Sequence, residues 1–220
     1  AEAGFSIVTA TGNFPQTATY GHGLSQAPDL IIQKAVSFTH NINVYHSALG
    51  TGKGMRLNLT GGVQTNPEYW SNVNNSTFTM GQQVYTSSNN KYIFYCWHSV
   101  PGYSSIGSYV GNGNPDGPFI YTGFRPAFIM IKAYSDSGEW QIVDTARSTY
   151  NPTQSTSTLE PQDSGGESNF TSRYWNGDIL SNGFKFRGTQ QYNASGRRYI
   201  YMAFAEHPFG GANVAPSPAR

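Results

Sequence analysis

Residues Ala27-Pro28-Asp29-Leu30-Ile31-Ile32-Gln33-Lys34 return as Arg125-Pro126-Ala127-Phe128-Ile129-Met130-Ile131-Lys132, 98 positions further along the chain. Each copy is a proline followed by an aliphatic run that closes on lysine, the composition of a buried strand entered from a turn. Further on, Lys91-Tyr92-Ile93-Phe94-Tyr95-Cys96-Trp97 returns as Arg198-Tyr199-Ile200-Tyr201-Met202-Ala203-Phe204. Between these, Tyr69-Trp70 answers Tyr174-Trp175, and Phe78 answers Phe184. The openings Gly4-Phe5-Ser6 and Gly12-Asn13 answer Gly102-Tyr103-Ser104 and Gly111-Asn112. Matches that keep their order over the whole chain read as a tandem duplication of a unit of about 100 residues.

Helical periodicity is nearly absent. Short apolar or alternating runs recur roughly every 8–15 positions between Gly, Asn, Ser and Pro clusters, the signature of an all-β sandwich or barrel. The first repeat predicts strands at 5–11, 17–22, 30–37, 43–46, 55–60, 77–81 and 91–98. The second predicts them at 105–110, 119–122, 128–134, 140–144, 173–175, 184–187 and 199–206. Asn182-Gly183 and Asn193-Ala194-Ser195-Gly196 predict turns, because Asn and Gly accept positive φ. The expected fold is an antiparallel β-sandwich, jelly-roll-like, with its repeats at 1–101 and 102–220 related by pseudo-twofold symmetry. The joint Val100-Pro101-Gly102 is short and apolar. It favours one intertwined sandwich, with two separate sandwiches as the alternative.

Charged residues make up 11% of the chain, under half the usual fraction of about 25%. Thirteen basic and twelve acidic side chains nearly cancel. That leaves no electrostatic case for nucleic acid or an anionic membrane. No apolar stretch approaches the ~18 residues of a bilayer span, so membrane insertion is not expected. Cys96 is the single cysteine, which excludes an intrachain disulfide and reads as a small buried hydrophobe. Ala1-Glu2-Ala3 shows no leader pattern, and the missing initiator Met suggests an excised piece of something longer.

Gly50-Thr51-Gly52-Lys53-Gly54 resembles a phosphate loop, but it lacks the spaced first Gly and the hydroxyl after Lys, so it reads as a turn. None of the five histidines recurs in the repeat: His22 falls near Thr122, His46 on Asp144 and His98 on Ala205. Cys96 and His98 share a strand face, yet no orienting group stands nearby in sequence. Glycoside hydrolysis needs two carboxyl groups across a groove, and no Glu-x-Glu spacing supplies them. Asn112-Gly113-Asn114-Pro115-Asp116-Gly117 is the best calcium-like loop, and a plain turn is the stronger reading. No catalytic residue, metal site or cofactor is expected, and the chain is not expected to be an enzyme.

The aromatics are the remaining resource. Tyr69, Trp70, Tyr174 and Trp175 sit beside polar stretches in both repeats and are the candidate ligand-binding residues. Their faces would stack on sugar rings while neighbouring amides bond the hydroxyls. A core plug conserved between the repeats is the competing reading. The polar loops 61–75 and 145–171, where the repeats differ, are the expected places for a specific site.

The combination Gly4-Phe5-Ser6-Ile7-Val8-Thr9, Gly21-His22-Gly23-Leu24, Pro28-x-Leu30-Ile31-Ile32-x-Lys34, Tyr121-Thr122-Gly123-Phe124-Arg125-Pro126 and Tyr199-Ile200-Tyr201-Met202-Ala203-Phe204-Ala205-Glu206-x-Pro208-Phe209 resembles a family of tailed-phage virion proteins, including those of cyanophages. The resemblance runs to about Phe209 and rests on strand starts and tight turns. It implies a place in the virion, on the tail or the outer capsid surface, among other virion proteins. It also implies a tail-fibre or surface module that binds a host glycan or envelope component and assembles as a homo-oligomer, with a trimer favoured. A capsid decoration or tail adaptor is the alternative, and a polysaccharide depolymerase ranks below both. The resemblance carries over no catalytic residue.

Overall fold

Along β9 (Lys91–Trp97), Tyr92, Phe94 and Cys96 are buried while the residues between them are partly or fully exposed. This is the period of two that a pleated strand imposes. The same logic builds the rest of the computed structural model, which describes residues 3–12, 17–81, 89–147, 158–165 and 175–208. All of its sheets are antiparallel, and its contacts divide the chain into two compact units, Ala1–Ser99 and Val100–Arg220. Among the described residues, no helix is long and apolar enough to cross a membrane.

In the first unit, the larger sheet has the order β1-β9-β3-β4-β5-β6. It joins β1 (Phe5–Thr11), β3 (Leu30–Ala35), β4 (Asn43–His46), β5 (Lys53–Arg56) and β6 (Gln64–Thr65) to β9. The smaller sheet runs β2-β8-β7, from β2 (Ala18–Gly21), β7 (Asn72–Val73) and β8 (Thr77–Met80). Ile31, Ala35, Tyr45, Tyr92, Phe94 and Cys96 from the larger sheet meet Phe78 and Met80 from the smaller one in a single apolar cluster. Fully burying side chains of this size stabilises by roughly 1.5–3 kcal/mol each.

The second unit also pairs a larger sheet with a smaller one. Its larger sheet, β10-β16-β12-β13, comprises β10 (Ser104–Val110), β12 (Pro126–Ala133), β13 (Trp140–Asp144) and β16 (Arg198–Ala205). Its smaller sheet, β11-β15-β14, comprises β11 (Phe119–Tyr121), β14 (Gly177–Leu180) and β15 (Gly183–Phe186). Ile129, Ile131, Val143, Tyr199 and Tyr201 pack against Ile120, Ile179, Phe184 and Phe186. Each unit is thus a sandwich-like pair of sheets over its own core.

Several expectations change. Among the described residues, every sheet draws its strands from one unit alone. The strand expected at 55–60 is displaced to Lys53–Arg56. Asn58 ends it, accepting the Ile42 amide at 3.0 Å and donating to Asn41 at 3.1 Å, so that its side chain replaces ladder bonds. The strand expected at 173–175 falls partly outside the described residues, and β14 follows it instead. Leu180 pairs with Gly183, so the two-residue hairpin link is Ser181-Asn182 rather than Asn182-Gly183. Gly183 is needed for close approach: a Cβ there would overlap the Ile120 carbonyl oxygen on β11.

Candidate functional site

The structure places Trp70 and Trp175 at the centres of the two cores. Trp70 lies 5.8 Å from the Tyr45 ring and 6.2 Å from Phe78, and is fully buried. Trp175 lies 5.7 Å from Phe184 and 5.0 Å from Phe186, and its Nε1–H donates to Gly177 O at 2.5 Å. Tyr69 is 7% exposed and donates its hydroxyl to Gln64 Oε1 at 3.2 Å. Tyr174 lies outside the described residues. With no exposed ring face, neither tryptophan can stack on a sugar, and the core-plug reading holds for both.

A different pair of places presents itself to solvent. In the first unit, Thr9, Ala10, Thr11, Val36, Lys91 and Tyr92 line an open hollow of about 420 Å³. In the second, Ser135, Asp136, Ser137, Ser195, Gly196 and Arg197 line one of about 520 Å³. Both lie where the last strand of the larger sheet begins. Their backbone frames match bond for bond. Gly12 N–H donates to Asn90 O at 2.7 Å, and Gly111 N–H to Arg197 O at 2.9 Å. Val36 N–H donates to Lys91 O at 2.8 Å, and Tyr134 N–H to Arg198 O at 3.0 Å. The amides of Lys91 and Arg198 donate to Ser37 Oγ and Ser135 Oγ at 3.1 and 3.0 Å. Asn89 and Gly196, at φ 70° and 72°, make the same left-handed step.

The linings differ where the frames agree. The second hollow gathers three serine hydroxyls, a carboxylate and a guanidinium. Arg197 is held in place, its Nη2 donating to Ser137 O and its Nε 3.6 Å from Asp136 Oδ2. Donors and acceptors fixed around an open hollow suit the alternating hydroxyls of a saccharide. The first hollow is more apolar, with Thr9, Thr11 and Lys91 as its polar groups. Neither site is visible in the sequence, because their residues are contributed by strand ends far apart in the chain.

The loops expected to hold a site are mostly structural where they are described. In 61–75, Asn74 Oδ1 accepts the amides of Ser76 and Thr77, both at 2.9 Å. In 145–171, Leu159 forms a bridge with Ile142, and much of the remainder lies outside the described residues. The calcium-like loop is a self-bonded turn: Asn114 Oδ1 accepts the Asp116 amide at 2.8 Å, and Asp116 pairs with Lys185 at 2.8 Å. That cation already occupies the charge a metal would need. No group of three metal-ligating side chains occurs among the described residues.

The histidines also resolve. His22 and His46 turn Nδ1 onto the amides of Leu24 and Ala48, both at 3.1 Å, and so shape tight turns. Burial pushes the Cys96 thiol up to about 12, with the Ser6 hydrogen bond opposing, and makes it an inert core group. His98 does have an orienting group. Its Nδ1 lies 2.9 Å from Ser99 O, and its Nε2 lies 3.2 Å from Ser25 Oγ. Ser25, 73 residues away in sequence, carries no local signal that would have paired it with His98.

Both units are antiparallel and all-β, and each carries an open hollow where the last strand of its larger sheet begins. Residues 1–208 match the family model described as a domain of unknown function (DUF7483), and the chain belongs to that family. No curated protein and no solved structure matches it.

Proposed function

We propose that the chain is a virion surface module of a tailed phage, built from two copies of one jelly-roll-like sandwich, that binds a host-surface glycan or envelope component. The duplication is supported by the shared strand order of the two units and by corresponding ring pairs. Phe78 meets Phe94 at 4.9 Å as Phe184 meets Tyr201 at 5.4 Å. The observation that carries the recognition reading is the pair of hollows, alike in frame and different in lining. A repeated frame with divergent side chains is the economy of a recognition module, in which the scaffold is kept and the contacts vary. Low charge favours hydrogen bonding and packing over ion pairing at the contact. Assembly as a homo-oligomer, with a trimer favoured, would add avidity.

Ser137 and Ser195 are exposed and line the second hollow, so Ser137→Trp and Ser195→Trp fill it without entering the core. On a glycan array, the wild type retains a ligand and each filled variant binds at least about 10-fold more weakly, a loss of roughly 1.4 kcal/mol. Retention of full binding by both variants removes the hollow from the account. Absence of any glycan or envelope ligand for the wild type removes the recognition reading. A purely structural decoration or adaptor is the second reading. It is favoured by Phe119 and Tyr121, 43% and 61% exposed on the edge strand β11, where a neighbouring virion protein would cover them.

A further inference from the structure

We propose that Ser25 and His98 form a nucleophile–base pair that hydrolyses small acyl esters. The geometry sets the protons. A carbonyl oxygen only accepts, so the 2.9 Å contact between His98 Nδ1 and Ser99 O puts the ring proton on Nδ1. Nε2 is then the bare nitrogen, and at 3.2 Å it accepts from the Ser25 hydroxyl. That is the arrangement of a general base on a serine, at a distance usual for an unliganded site.

The support behind the base is rigid. Ser99 is anchored from two sides, donating its amide and its hydroxyl to Asp29 Oδ2 at 2.8 and 2.9 Å. The His98 amide donates to Gly4 O at 2.9 Å, and its ring is 6% exposed. Ser25 is exposed on the loop after β2, so the nucleophile faces solvent while its base is held inside. The amides of Ser25 and Gln26 donate to no acceptor among the described residues and are available to a developing oxyanion. Ala205 occupies the position of His98 in the second repeat, so each chain carries one such pair.

In the first step, Ser25 Oγ bonds to the acyl carbon and its proton passes to His98 Nε2. The alcohol then leaves with that proton, giving an acyl-serine. Water attacks the acyl-serine, its proton passes through Nε2 to Ser25 Oγ, and the carboxylic acid is released. The imidazole leans on a neutral carbonyl rather than a carboxylate, which limits stabilisation of the imidazolium and restricts the pair to esters rather than amides. An open approach to Ser25 suits a small acyl group. This activity departs from the sequence expectation of no catalysis and is independent of the hollows.

The full chain treated with a fluorophosphonate probe, digested and mapped by mass spectrometry tests the pair. Ser25 is expected to be the modified serine, with labelling at least about 100-fold slower in His98→Gln, the usual worth of a general base. Ser25→Ala, at an exposed position, is expected to melt as the wild type does and to lose the acyl-enzyme burst with p-nitrophenyl acetate. A measurement on the wild type alone covers any folding defect in His98→Gln. With a base in place, the labelling rate levels off with rising pH, whereas an unaided serine reacts in proportion to hydroxide throughout. Labelling of Ser25 no faster than that of other serines overturns the proposal, as does a rate that climbs without a plateau.

Discussion

The two buried tryptophans make different predictions for the same substitution. Trp70→Phe and Trp175→Phe each remove a similar volume from a fully buried site, so their cavity costs nearly cancel in a comparison. Their indole nitrogens differ. Trp175 Nε1 donates to Gly177 O, and its loss also strips that carbonyl of a partner. Trp70 Nε1 is buried with no hydrogen-bond partner, so its removal deletes a desolvated donor. A buried hydrogen bond contributes about 0.5–1.5 kcal/mol net, and an orphaned polar group costs about 1–3 kcal/mol. Trp175→Phe is therefore expected to destabilise by about 2 kcal/mol more than Trp70→Phe. Urea unfolding followed by circular dichroism measures both. Equal losses, or the larger loss at Trp70, would refute the assignment of the two indole environments.

Other consequences follow from the same packing. Native Cys96 is expected to resist a thiol reagent at pH 8 and to react fully in urea, since burial places its thiol at about 12; rapid native reaction would contradict its position in the core. Gly183→Ala forces a methyl onto the Ile120 carbonyl and the Phe119 ring and is expected to cost about 1–3 kcal/mol in urea unfolding, whereas a neutral result would contradict the β11–β15 approach. Burial lowers Lys132 to about 8, with Glu139 opposing and Arg197 reinforcing, so the unfolded chain binds the extra proton between about pH 8 and 10.4. The wild type should thus gain stability over that window relative to Lys132→Met, and parallel pH profiles would exclude a buried lysine there.

Much of the scaffold was legible because side-chain period and burial are local properties. Pro28 and the aliphatic run after it announced β3, and the alternation of Tyr92, Phe94 and Cys96 announced β9. The alignment of the two halves set Phe5 against Tyr103, whereas in the ladders Phe5 pairs with Trp97 and Ser104 with Phe204. Strand β14 was missed because Gly177-Asp178-Ile179-Leu180 is too short and mixed to show a period. The site was less legible. Tyr69, Trp70 and Trp175 stood among Asn, Gln and Ser, and polar neighbours in sequence say nothing about which side of a ring faces water. The hollows and the Ser25–His98 contact depend on strand register, which brings together residues with no sequence relation.

The position of the chain in an intact particle tests the functional account most directly. If the chain is the virion module proposed, gold-labelled antibody raised against it, applied to whole virions of its encoding phage and viewed by electron microscopy, reads that position. The account predicts label on the outer surface, concentrated at tail-fibre ends. Intact virions that bind no antibody, with label appearing only after disruption, would contradict it.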